Sequence, residues 1–179
     1  MQLRNMVFCA LLASVICVFA PFTIPVGPVP ISLATFAIYI ASTVIGKKQG
    51  VVSVLIYIAI GAMGVPVFSN FSGGIAKLVG VTGGYIAGYV FLAAIAGYIV
   101  DKNEGTFWAY PVGMAVGTLV LYAFGSCWFM LTTENGLLAT LTICVLPFLV
   151  GDAVKIAAAS AISFAMRKVL KQFRLGYRV

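Results

Sequence analysis

Two residues of opposite charge stand three apart in the stretch Gly151-Asp152-Ala153-Val154-Lys155. Around them, from roughly Thr140 to Ala165, the chain is otherwise almost wholly apolar. On a helix, the i and i+3 spacing puts both side chains on one face. Inside a bilayer each charge alone costs at least ~2.5–3.5 kcal/mol near the centre, so such a pair points into a bundle interior or a cavity. There Asp152 can accept N–H bonds from a small polar ligand, and Lys155 can donate to a carbonyl or carboxylate. The same pair also suits a structural role, as an ion pair that orients its helix. Its position favours the ligand, because an ionisable residue within a membrane marks a functional site by default.

Other chemistries find no residues to carry them. The chain has no histidine, the commonest general base and metal ligand. It has no G-x-x-x-x-G-K-[ST] phosphate loop and no G-x-S-x-G, so neither a nucleotide engine of that kind nor a Ser-His-Asp triad is expected. The carboxylates Asp101, Glu104, Glu134 and Asp152 are too scattered for a dense metal cluster. Cys9, Cys17, Cys127 and Cys144 lie in apolar runs without a C-x-x-C pair and read as small apolar fillers of helix surfaces. No catalytic residue, metal or cofactor is expected. A proton-coupled carrier with Asp152 as the titrating group remains open.

The elements that must position the pair follow from composition. Of 179 residues, 63% are hydrophobic and 8% charged, with a mean hydropathy of +1.14, whereas soluble domains carry about 25% charged residues. The reading is a single domain, residues 1–179, of an all-α integral membrane protein with six spanning helices. The apolar runs are Arg4 to Phe22, Ile31 to Gly46, Gly50 to Gly64, Gly83 to Val100, Thr106 to Leu131, and a sixth reaching about Ala165. Arg4 and Val18-Phe19-Ala20 resemble a signal peptide, but Pro21 argues against cleavage and five more runs follow. With the N-terminus inside, the inner side carries Arg4, Lys47, Lys48, Lys102, Arg167, Lys168, Lys171, Arg174 and Arg178, and the outer side only Lys77. That bias predicts both termini inside. The net charge of +7 lies at run ends and in the tail, as topology signals do, so no nucleic-acid partner is expected.

This topology gathers two loops on the outer side, together with the start of the sixth run. One is a stiff loop holding Pro25, Gly27, Pro28 and Pro30; the other is the glycine-rich stretch Val67 to Thr82, too apolar to lie loose in water. Together they are expected to cap a pocket floored by Asp152 and Lys155, about ten residues or ~15 Å into the last helix. Phe68, Phe71 and Tyr85 would cover an apolar part of the ligand, and Gly73 and Gly74 would let backbone amides approach it. Small residues recur at four-residue spacing in the first run, at Cys9, Ala13 and Cys17 and at Ala10 and Ser14. Such faces allow close helix packing, either within the protein or with another membrane subunit.

The stretch Gly61-Ala62-Met63-Gly64-Val65-Pro66-Val67-Phe68-Ser69-Asn70-Phe71-Ser72-Gly73-Gly74, then Gly80-Val81-Thr82-Gly83-Gly84-Tyr85, resembles the BioY family. VGPVPISLATF, from Val26 to Phe36, is similar to that family's first-loop pattern, and Gly151 to Lys155 to its motif in the sixth helix. The family comprises the biotin-specific substrate-binding membrane subunits, or S components, of energy-coupling factor transporters. The resemblance implies six helices in a prokaryotic plasma membrane and capture of biotin from outside. It further implies assembly with a transmembrane coupling subunit and two cytoplasmic ATPase subunits, the S component toppling to deliver its ligand inside. By position, Asp152 and Lys155 would hydrogen-bond biotin, Gly73, Gly74 and Tyr85 would line the site, and Asn70 would be a polar partner. The face around Ala10, Ala13 and Ser14 would meet the coupling subunit. The pattern leads one to expect proline where Val81 stands and glutamine where Ala34 stands; the latter difference removes a polar contact from the first loop. The bare residues leave two other readings: a self-sufficient proton-coupled carrier for a small polar solute, or a subunit for another vitamin.

Overall fold

The structure, a computed structural model, describes residues 3–24 and 28–172. Pro25, Val26 and Gly27 of the first loop and Arg174 and Arg178 of the basic tail lie outside the described residues, as do the side chains of Arg4 and Lys171.

Each apolar run becomes helical, with boundaries set by local breakers. Helix α1 is Leu3–Phe19, ending just before Ala20-Pro21. The proline loop closes as a minimal antiparallel hairpin, β1 (Thr23–Ile24) with β2 (Ile31–Ser32), so the second run loses its first three residues to a strand and a turn. Helix α2 is Ala34–Val44. Gly46, at φ +86°, turns the chain directly into α3, Lys47–Ala62, so Lys47 and Lys48 open a helix rather than close one. The glycine-rich stretch folds down, with a short 3-10 turn at Ser69–Phe71 and the small helix α4 at Ile75–Val79. Helices α5, Gly83–Lys102, and α6, Ala109–Thr133, follow. The sixth run is two helices, α7 (Leu137–Cys144) and α8 (Leu146–Gln172), broken at Val145. Pro147 explains the break: it has no N–H to donate back, and its ring clashes with the carbonyl four residues earlier. In the first turn of α8 the same proline is harmless.

Among the described residues, Gly83–Lys102, Ala109–Thr133 and Leu137–Leu170 are long and apolar enough to cross a membrane. The chain is a multi-pass membrane protein. α1 and α2 are apolar but shorter. Glycines set how closely α5 and α6 pack: a Cβ on Gly125 would meet the Tyr85 ring at 2.5 Å, and one on Gly84 would meet Trp128 at 2.2 Å. Tyr85 is thereby held flat against α6.

At the far end of α8 sits a second polar cluster. Arg167, expected in the basic tail on the inner side, is 6% exposed. It bridges Asp101 at 2.8 Å and Glu104 at 2.9 Å and donates to the Thr43 carbonyl at 2.9 Å. Asp101 also takes the Lys47 backbone N–H at 2.7 Å. One guanidinium thus ties α8 to the ends of α2, α3 and α5. The excess of nearby basic residues concealed it, since a paired arginine and an unpaired one look alike in sequence.

Candidate functional site

Asp152 lies in the second turn of α8, closer to the helix start than an unbroken sixth run implies, and is 4% exposed. Its Oδ1 is 2.9 Å from the Lys155 ammonium, and Thr35 at the start of α2 approaches the same oxygen at 3.5 Å. The Tyr122 hydroxyl on α6 donates to Oδ2 at 2.5 Å. Lys155 also donates to the Ser32 carbonyl at 2.7 Å and to Thr35 Oγ1 at 3.3 Å. The i,i+3 pair therefore does share one face, and that face looks inward. It gathers β2, α2, α6 and α8 around one carboxylate. A buried ion pair is tolerated only when its remaining lone pairs and protons are also satisfied, which these contacts provide.

A pocket of about 490 Å³, counting the space at its mouth, opens above the pair. Its floor is Asp152, Lys155, Thr35 and Tyr122; its wall is Tyr85, Ile86 and Tyr89 of α5 with Leu121 and Phe148. Val29, Pro30 and Ser32 of the hairpin, with Ser69 and Thr82, form its rim. The arrangement is mostly apolar and aromatic, with a few convergent polar groups at one end. It can hold a compact molecule that is apolar over most of its surface and carries N–H donors and an acceptor at one end.

Three of the expected ligand residues line this pocket: Asp152, Lys155 and Tyr85. The other five form the cap behind the rim. Phe68 is 1% exposed and stands edge-on to Tyr57 at 5.5 Å, over Gly61. Asn70, at φ 59°, accepts from the Thr23 hydroxyl and gives its backbone N–H to the Pro21 carbonyl at 3.2 Å. Phe71 stands edge-on to Phe22 at 5.6 Å. Gly73 leaves no room for a Cβ against the Val65 carbonyl, and Gly74 donates to the Gly61 carbonyl at 2.7 Å. The glycine-rich loop thus fastens onto the hairpin and α3, and Ser69 and Thr82 are the residues it contributes to the pocket. Ser32, Thr35, Tyr89 and Tyr122 were missed. Each is a hydroxyl residue in an apolar stretch, where sequence alone does not distinguish a lining residue from an ordinary helix-surface one.

On α1 the small-residue face divides. Ala13 is buried, whereas Ala10 and Ser14 are exposed, and the Ser14 hydroxyl is satisfied by the Ala10 carbonyl at 2.9 Å. Cys9 packs toward α3, where Ser53 donates to its carbonyl at 3.1 Å.

Residues 1–172 match the BioY family. The chain belongs to this family. Among its relatives, the biotin transporter BioY of Thermotoga maritima is 34% identical over 168 residues, covering 93% of this chain and 98% of the relative. The probable biotin transporter BioY of Pyrococcus horikoshii is 38% identical over 163 residues, covering 91% of this chain and 96% of the relative. The fold is similar to a crystal structure of the S-component for biotin from an ECF-type ABC transporter. The TM-score is 0.86 at 27% identity, covering 93% of this chain and 92% of the other. The family expected from the glycine-rich and Gly151 to Lys155 motifs is therefore the one found. As a BioY chain, this molecule places both motifs at one end of its bundle, the first in the cap and the second in the floor of a shared pocket.

Proposed function

We propose that this chain is the biotin-binding membrane subunit of a vitamin uptake system, a transport component rather than an enzyme. The observation that carries the reading is the buried Asp152–Lys155 pair at the floor of a largely aromatic pocket, in a fold shared with a biotin S-component. Biotin matches that pocket chemically. Its fused rings suit Tyr85, Ile86 and Phe148, and its ureido N–H groups suit the carboxylate of Asp152.

The bundle crosses a prokaryotic plasma membrane six times with both termini inside and the pocket outside. In support, Lys47, Asp101 and Arg167 meet at the end opposite the pocket, where Lys48, Lys102 and Lys168 also lie. Positive charge gathers there as it does on cytoplasmic sides. With no phosphate loop of its own, the chain draws energy from a transmembrane coupling subunit and two cytoplasmic ATPase subunits. The exposed Ala10 and Ser14 of α1 offer the small, internally satisfied face that close helix docking needs.

Titration calorimetry of the purified protein in detergent tests the reading, with thiamine and riboflavin as controls. Tight, near-stoichiometric binding of biotin alone is expected. Binding of another vitamin in its place, or solute uptake into vesicles driven by a pH gradient without partner subunits, would overturn it.

A further inference from the structure

The ion pair leaves one need of such a ligand unmet. A ureido ring presents a carbonyl between its two N–H groups, so a carboxylate that takes the N–H side must have a donor close beside it. Lys155 is an obvious source, yet an ammonium has three N–H bonds. Here they meet the Ser32 carbonyl at 2.7 Å, Asp152 at 2.9 Å and Thr35 at 3.3 Å. Tyr122 gives its proton to Asp152 at 2.5 Å, and Tyr85 gives its own to the Cys144 carbonyl at 3.3 Å. Tyr89 differs from both. It lines the same pocket at 7% exposure, one helical turn beyond Tyr85 and within electrostatic reach of Asp152. Its hydroxyl has no hydrogen-bond partner among the described residues. A buried phenol hydroxyl normally finds a partner, so one left over in a pocket points to a ligand.

Resting on the reading of the pocket as a biotin site, we propose that Tyr89 donates its hydroxyl proton to the ureido carbonyl of the ligand. Lys155 then acts chiefly as a positioning residue, fixing Asp152 and holding the hairpin through Ser32. The donor inventory of the pocket is thereby complete: Asp152 for the N–H side, Tyr89 for the carbonyl, and an aromatic wall for the rings.

The test compares two ligands on two proteins: biotin, and the analogue in which sulfur replaces the ureido oxygen, each titrated against the unaltered chain and Tyr89→Phe. A neutral hydrogen bond is worth up to roughly tenfold in affinity. The unaltered chain is expected to bind the thio analogue up to roughly tenfold more weakly than biotin. Tyr89→Phe should lose a similar factor for biotin and almost none for the analogue. Unchanged biotin affinity in Tyr89→Phe, or equal losses for both ligands, would overturn the assignment. An unaltered chain that binds both ligands equally would do so without the variant. An unaltered chain that binds neither ligand would instead overturn the biotin reading itself.

Discussion

At the scale of single residues, the site rests on one carboxylate with three protein donors around it. Lys155, Thr35 and Tyr122 come from three different helices, so each donor fixes Asp152 and is itself fixed. Lys155→Ala removes both the counter-charge and the tie to the Ser32 carbonyl. Biotin affinity should fall by roughly 10- to 100-fold as Asp152 loses the partner that positions it, about the value of one charge-assisted hydrogen bond, and the ligand-free melting temperature should fall with it; calorimetry and a thermal melt read the two effects separately. Gly61 makes a sharper packing test. A Cβ there would meet the Phe68 ring at 2.2 Å, inside a buried aromatic pair. Gly61→Ala should cost about 1–3 kcal/mol through overpacking, seen as a lower melting temperature in detergent. The charged pair was legible in the sequence because charge is rare inside an apolar run. Thr35 was not, because a threonine hydroxyl can satisfy itself on its own helix, and Tyr122 was not, because a tyrosine in an apolar run serves equally as a packed ring with its hydroxyl at any polar edge; neither carries a positional signal until the fold is known.

At the scale of elements, the decisive features are a broken helix and a clasp. Pro147 breaks the sixth run, and α8 restarts just ahead of Asp152, so the pair lies close to the hairpin rather than deep in a continuous helix. A two-residue strand pair lacks the length for alternation to show, so the hairpin could not be read from the loop that holds it. The loop's closure was legible in its prolines and glycine, and the cap's apolar side chains announced that it folds down. At the other end, Arg167 fastens α8 to three other helix ends. Breaking a buried ion pair by removing one partner costs about 3–5 kcal/mol. Arg167→Ala should fall near the lower end, because Glu104 is partly exposed, and thermal unfolding will read it. Because the clasp lies about 22 Å from Asp152 along α8 at the usual helical rise, biotin affinity measured well below the melting temperature should change less than twofold.

At the scale of the whole molecule, two ends with different roles emerge. One carries the pocket and its two capping loops; the other carries the clasp and most of the lysines. Runs of apolar residues made the helices legible, and the bias of basic residues between loops made the orientation a definite expectation. The lengths of α1 and α2 were not legible, because hairpin and turn residues at their ends are as apolar as the helices themselves. Single cysteines at positions 77 and 102, in a chain whose four own cysteines are replaced by serine or alanine, test the orientation in intact cells. A membrane-impermeant thiol reagent should label position 77 and leave position 102 unlabelled until the cells are opened; the reverse pattern would invert the topology. The measurement that bears most directly on the site is biotin binding by the double variant Asp152→Asn with Lys155→Met. Replacing both partners leaves no unpaired buried charge, so the protein should stay folded, with a melting temperature within a few degrees of the unaltered chain. If the pair recognises the ligand, binding should weaken at least 100-fold in that folded protein. Full-affinity binding by the double variant would mean that the pair only holds helices together and that biotin recognition lies elsewhere.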